Sequence, residues 1–255
     1  MSEYAVIIYP LTFLYGILVG SFLNVCIYRI PKKESIVYVP SHCMSCGYHL
    51  KWFDLVPVFS WLFLGGKCRK CKKPISPQYP IIEAANGIMW LGIIVYCGLS
   101  VEGVLYCLLS SVLLVLSIID IRTMEIPLGL NIFIALLGVV RVVTDYKQWY
   151  LYVIGAVLVS GIFLLAGVIG EKVLKKESMG GGDIRLMAAA GLLLGAWKIF
   201  LAMLIGCLVG VIVHGIMMAV CKKDHQLPFG PYLSAGILLA ALFGQPLIDW
   251  YLSFF

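Results

Sequence analysis

Long apolar runs and short polar interruptions alternate along almost the whole chain, and within each run the apolar residues are continuous. Continuity over that length predicts membrane-spanning helices. A bilayer core of about 30 Å takes roughly 20 apolar residues at the helical rise, whereas a spanning strand alternates with period two. Eight runs meet or approach the length: 4–28, 81–97, 103–120, 127–143, 149–170, 184–197, 199–220 and 232–252. The sixth is short enough to be tilted or partly re-entrant, which leaves seven spans as the other count. The first run reads as a retained span, because Glu3 stands where a cleaved signal carries basic residues and the run outlasts an h-region of about 7–15 residues. The expected fold is an all-α polytopic membrane protein of about eight transmembrane helices, with one small polar insertion between the first and second.

Composition agrees. Of 255 residues, 62% are hydrophobic and 13% charged, and the mean hydropathy is +1.00, which excludes an ordinary soluble domain. The net charge of +6 reflects topology. With the N-terminus outside and eight alternating spans, sixteen of the nineteen Lys and Arg fall in the inner segments 29–80, 120–126, 170–185 and 220–225. Only Arg141, Lys147 and Lys198 remain outside, a strong positive-inside bias. The basic residues flank spans and line no base-stacking platform, so nucleic acid is not an expected partner; the lipid bilayer is.

The insertion, 29–80, carries Cys43-x-x-Cys46 and Cys68-x-x-Cys71 separated by 21 residues. Each CxxC places two sulfurs about one tetrahedral edge apart, so the four thiolates suit a closed, structural Zn²⁺ site with no open catalytic position. Two disulfides are the competing account, and the reducing cytosol to which the charge bias assigns this loop disfavours them. His42 and His49 read as solvent-exposed loop residues. Cys26, Cys97, Cys107, Cys207 and Cys221 lie in or beside spans without paired spacing and read as packing residues. Trp52, Phe53, Leu55, Val58, Phe59, Trp61, Leu62 and Phe63 would form a small core of the insertion or rest on the membrane interface.

Acids near span edges are functional candidates, because a charge at membrane depth is costly. Glu102 sits in a short outer turn, and Glu83 opens the second span. Asp120 ends the third span at its cytosolic end, and Asp183 closes "MGGGD" at the cytosolic start of the sixth. Two crossings separate them, so both lie at one face, where water is available. Two carboxyls sharing a site lose their protons in separate steps, and such a pair can activate water on one side and polarise a carbonyl on the other. Gly180, Gly181 and Gly182 are expected to allow backbone angles closed to other residues and a close approach by an extended peptide. The same acids also suit an N-cap at Asp183 and an ion pair of Asp120 with Arg122; Glu125 is the rival to Asp120.

The ordered set "GSFLNVCIYRIP" at 20–31, "DLVPVFSWLFLGGKCRKCKKPISPQYPIIE" at 54–83 with its preceding CxxC, "IDIRTMEIP" at 119–127, "MGGGDIRLMAAAG" at 179–191 and "PFGPYLSAG" at 228–236 resembles the prepilin peptidases, the type IV leader peptidases of the GxGD class of membrane aspartic proteases. The resemblance runs along essentially the whole chain. It implies removal of the positively charged leader from prepilins or pseudopilins, with Asp120 and Asp183 catalytic and Gly180 and Gly182 as the motif glycines. It further implies zinc held by Cys43, Cys46, Cys68 and Cys71, and N-methylation of the new N-terminus from S-adenosylmethionine, with Gly66 and Glu83 at positions tied to that step.

Under the same resemblance, residues 1–28 are a first span, 29–80 a cytosolic zinc-binding domain associated with methyl transfer, and 81–255 the peptidase domain of a bacterial inner-membrane protein serving type IV pili or protein secretion. Leu128 stands where many members carry Asn or Asp, and Met44 replaces a common proline. No glycine-rich strand–turn–helix signature for the methyl donor is visible. Two other classes compete: a transporter or ion pathway using intramembrane acids, and a non-catalytic assembly scaffold docking through the cysteine module.

Overall fold

A computed structural model describes residues 5–174, 179–221 and 228–254. Glu3 and Tyr4 at the start of the first apolar run, the basic residues Lys175, Lys176, Lys222 and Lys223, and the side chain of Cys221 lie outside the described residues. Helices dominate throughout: α1 (Ala5–Arg29), the short α2 (Phe59–Phe63), α3 (Gln78–Cys97), α4 (Val101–Thr123), α5 (Leu128–Thr144), α6 (Trp149–Leu174), α7 (Gly181–Leu194), α8 (Ala196–Cys221) and α9 (Gly230–Leu252). Each of the eight apolar runs is a helix. Six are long and apolar enough to cross a membrane, and α5, with 17 residues, is shorter but apolar. The described protein is thus an all-α, multi-pass membrane protein with a cysteine-bearing insertion between its first two long helices.

α7 differs most from its sequence-predicted range. It begins at Gly181, three residues earlier than the apolar run, and ends at Leu194. Gly195 alone separates it from α8, with a left-handed φ of 79° that lets the chain reverse without a longer loop. The glycine run therefore opens the helix.

The chain forms two compact units, one ending at Ser111 and the other beginning at Val112. In the first, α1 and α3 pack closely because Gly16 and Gly20, one turn apart, face the α3 backbone. A Cβ on Gly16 would lie 2.8 Å from Gly87 Cα, and one on Gly20 would lie 2.7 Å from Glu83 Cα. This small-xxx-small contact brings backbones together where lipid provides no hydrophobic drive for helix pairing. One buried amide adds polar ties: Asn86 Nδ2 donates across this seam to Gly16 O at 2.7 Å, and its Oδ1 accepts the Ser111 hydroxyl of α4 at 2.8 Å.

In the second unit, α5 and α7 run in the same direction. Ile126, just ahead of α5, touches Gly182 near the start of α7, and further along Gly138 rests on Leu192. α6 crosses α7 through the Gly155–Gly191 contact, and α8 meets α9 where Gly236 approaches the Ala202 carbonyl. Large apolar side chains elsewhere on these helices, such as Val157, Leu165, Val211 and Ile212, face outward. Outward apolar surface on every long helix is what a lipid environment selects.

Candidate active site and cysteine cluster

The last turn of α4 carries Asp120, which is only 4% exposed. The Met124 N–H donates back to the Asp120 carbonyl at 2.8 Å, and Met124 takes a left-handed φ of 55°, so the chain leaves α4 in a tight cap. Ile126 then lies against Gly182, where a Cβ would sit 2.8 Å from Ile126 Cβ. The turn after Asp120 is thereby the surface on which the start of α7 rests, and Asp183 follows directly in the first helical turn.

Gly180 is the N-cap residue of α7 and makes no side-chain cap bond; Asp183 is the third helical residue, not the cap. A carboxylate in that first turn still benefits from the helix's unpaired N–H groups. Asp120 finds its partner elsewhere: its Oδ2 accepts the backbone N–H of Gly230, the first residue of α9, at 2.9 Å. A Cβ on Gly230 would come 2.6 Å from that oxygen, so any larger residue there would displace the Asp120 carboxylate. The motif at 228–236 pointed to this segment without assigning Gly230 a role, because a contact between residues 110 positions apart leaves no spacing signal.

Asp120 and Asp183 line one cavity of about 290 Å³, together with Glu125, Arg185 and the three glycines 180–182. Glu125 is exposed where Asp120 is buried, which separates the two rivals physically: the buried carboxyl is the one screened from bulk water. The glycines do not act as expected. None of the three adopts a positive φ. What they provide is space: Gly182 accommodates Ile126, a Cβ on Gly180 would crowd Asp183 Oδ2 at 3.1 Å, and Gly181 faces open space. The G-x-G alternation therefore follows side-chain room and not backbone dihedrals.

The cysteines form a separate cluster. The sulfurs of Cys43, Cys46, Cys68 and Cys71 all lie within 4.8 Å of one another. Two turns of the same design bring them there. In the first, the Cys43 N–H donates to Tyr48 O and the Gly47 N–H to Cys43 O; in the second, the Cys68 N–H donates to Lys73 O and the Lys72 N–H to Cys68 O. Gly47 and Lys72 occupy equivalent left-handed positions, at φ 69° and 59°.

Asp54 ties the two turns together. Its carboxylate accepts Arg69 Nε at 2.7 Å, the Lys51 N–H at 3.2 Å and the Tyr48 hydroxyl at 3.3 Å. Burial opposes its charge, but the Arg69 hydrogen bond leads the contacts that hold it below the ordinary carboxylate range. Hydrogen bonds from the Cys71 and Lys70 backbone, the former the largest cause, pull Cys68 down to about 6. The Tyr48 backbone bond lowers Cys46 too, yet desolvation and the neighbouring sulfurs outweigh it and raise that thiol to about 11. Four crowded thiols cannot all ionise without a cation, so the donor set fits a soft divalent metal such as zinc. Neither His42 nor His49 belongs to the cluster; they pair across a β-bridge beside it. Cys26 and Cys107 are buried, Cys97 is half-buried and Cys207 exposed, and none forms a disulfide among the described residues.

Of the two expectations for the aromatic stretch, a small core or a rest on the membrane interface, the core does not form. Trp52 and Phe63 are 80% and 88% exposed, and Leu55, Phe59 and Leu62 are exposed as well. Backbone turns and the sulfur cluster, not apolar burial, organise this segment, as a chain this short requires. Gly66 and Glu83 serve local packing. Gly66 has a left-handed φ of 68° and lies under the Trp61 ring, while the buried Glu83 accepts the Val58 N–H at 2.7 Å.

A polytopic helical membrane protein with two aspartates on one cavity and a Cys₄ cluster in its first loop defines a narrow class. Residues 14–97 match the family model of the bacterial peptidase A24 N-terminal domain, and residues 107–215 that of the type IV leader peptidase family. A prepilin leader peptidase/N-methyltransferase of Bacillus subtilis is 32% identical over 94% of this chain and 96% of its own length. Its namesake in Xanthomonas campestris is 33% identical over 94% and 92%, and that of Pseudomonas aeruginosa 31% over 95% and 93%. No solved structure gives a significant match. The chain belongs to the type IV leader peptidase family.

Proposed function

We propose that this protein cleaves the positively charged leader from type IV prepilins or pseudopilins at the cytosolic face of a bacterial inner membrane, and then N-methylates the exposed residue. The observation that carries the reading is the shared cavity of Asp120 and Asp183. The names of full-length relatives support the same two activities.

Asp120 and Asp183 hold one proton between them. The ionised carboxylate takes a proton from water as the water attacks the scissile carbonyl, and the protonated one donates a hydrogen bond to the carbonyl oxygen. The proton gained from water then goes to the leaving amine. The Gly230 N–H fixes one Asp120 oxygen and leaves the other for this exchange. Gly180 leaves the space beside Asp183 Oδ2 free of a side chain, and Gly182 gives room to Ile126.

Cys43, Cys46, Cys68 and Cys71 hold zinc, which closes the insertion structurally. S-adenosylmethionine would supply an electrophilic methyl group, and Gly66 and Glu83 are the positions that the family resemblance ties to that step. The functional division is 1–28 as a membrane anchor, 29–80 as the zinc-binding module and 81–255 as the peptidase, with the N-terminus outside. Reconstituted protein and a prepilin-like peptide test the reading: Asp120→Asn and Asp183→Asn should each abolish cleavage with the fold retained. Undiminished cleavage by both variants would overturn the two-aspartate mechanism, and methyl transfer is scored separately with labelled donor and pre-cleaved peptide.

A further inference from the structure

Asn131 sits in the first turn of α5 and is only 3% exposed, yet neither its amide nitrogen nor its amide oxygen has a hydrogen-bond partner among the described residues. A buried amide in that condition is unusual, because each unbonded polar atom carries its full desolvation cost. Its neighbours on the helix show where it lies. The buried face of α5 is Asn131, Ile134, Leu137 and Gly138, a helical stripe, and Gly138 rests on Leu192 of α7. Asn131 lies seven residues before Gly138, about 10 Å back along the helix on nearly the same face.

Because α5 and α7 run in the same direction, that step back reaches the first turns of α7. Those turns carry Asp183. Ile126, which seats Gly182, lies five residues before Asn131. The unbonded amide therefore lies on the side of α5 that meets α7, near the start of α7 and beyond the residues that line the cavity.

We propose that Asn131 is a positioning residue for substrate: its side-chain amide bonds the backbone of an extended peptide when the α5–α7 seam parts at the cavity. An amide offers one acceptor and two donors, and a peptide group offers the complementary acceptor and donor. No apolar side chain could serve that purpose, and no other amide in α5–α7 is both buried and unbonded among the described residues. The inference rests on the peptidase reading and extends it to the seat of the substrate backbone.

Asn131→Leu separates the alternatives, since Leu has a similar volume and removes the unbonded polar atoms. If Asn131 only fills space, Leu should raise the melting temperature and leave kinetics unchanged. As a substrate seat, it should give an equal or higher melting temperature, with kcat/KM lower by about tenfold or more, mainly through KM. Asn131→Ser, which keeps a donor and an acceptor, should recover part of the loss. A labelled prepilin-like peptide titrated onto Asp120→Asn protein, with and without Asn131→Leu, reads binding without turnover and should weaken by a similar factor. Wild-type kinetics and binding in the Leu variant overturn this assignment while leaving the peptidase reading intact. Wild-type protein that neither binds nor cleaves the peptide overturns both.

Discussion

The cysteine cluster and the aspartate cavity are built in opposite ways. The four sulfurs come from residues 43–71, gathered by two local turns whose hydrogen bonds span at most five residues. The aspartate cavity draws on α4, the turn before α5, and the start of α7, and it is held by an α9 backbone N–H 110 residues from its acceptor. The first is a loop organised by its own turns and needs no apolar core, as the exposure of Trp52 and Phe63 demonstrates. The second consists of helix ends whose positions depend on small residues at every contact. Ligand spacing alone can specify a metal site, whereas a pair of acids on separate helices needs the packing of the whole unit.

The comparison predicts different sensitivities. The largest effect falls on the acids: Asp120→Asn or Asp183→Asn should lower cleavage by about 10⁴-fold, the upper range for losing an acid–base group, measured as kcat on a prepilin-like peptide. Next comes Gly230→Ala, whose new Cβ cannot clear Asp120 Oδ2 at 2.6 Å without displacement. It should cost about 1–3 kcal/mol of packing and a comparable loss in kcat/KM. Gly182→Ala should behave similarly against Ile126, while Gly181→Ala, facing open space, should leave activity intact. Equal effects at 181 and 182 would show that backbone freedom matters more than room.

Cys43→Ser with Cys68→Ser should abolish metal binding, read as a fall from about one zinc per chain by elemental analysis. Cleavage should persist if the two sites are as separate as their construction. The smallest effect is at Lys72, where a non-glycine residue holds the left-handed position that Gly47 holds in the matching turn. Lys72→Gly should stabilise the metal-bound insertion slightly, by no more than about 1 kcal/mol, and Gly47→Lys should destabilise it by about 1 kcal/mol or more, read by protease resistance.

Much of this was legible in the chain. Each apolar run became a helix, because hydrocarbon leaves the backbone no other way to satisfy its N–H and C=O groups. The CxxC spacing indicated the cluster for a similar reason: two turns of fixed reach must converge. Other features were not legible. Backbone angles closed to other residues were expected at Gly180 and Gly182, yet neither has a positive φ and the structure uses their small size. The aromatic stretch 52–63 fitted either a small core or the membrane interface, and its exposure excludes the core because the loop has too few elements to enclose it.

By itself the sequence determined the apolar helices, the membrane setting, the position of the cysteine insertion and two acids as candidates, all consequences of short-range composition and spacing. Tertiary structure alone decided that Asp120 leans on Gly230, that Ile126 fits against Gly182 and that Asn131 is buried without a partner among the described residues. Those are relations between segments far apart in the chain. They arise from steric fit between helix surfaces, which no local pattern of hydrophobic and polar residues encodes.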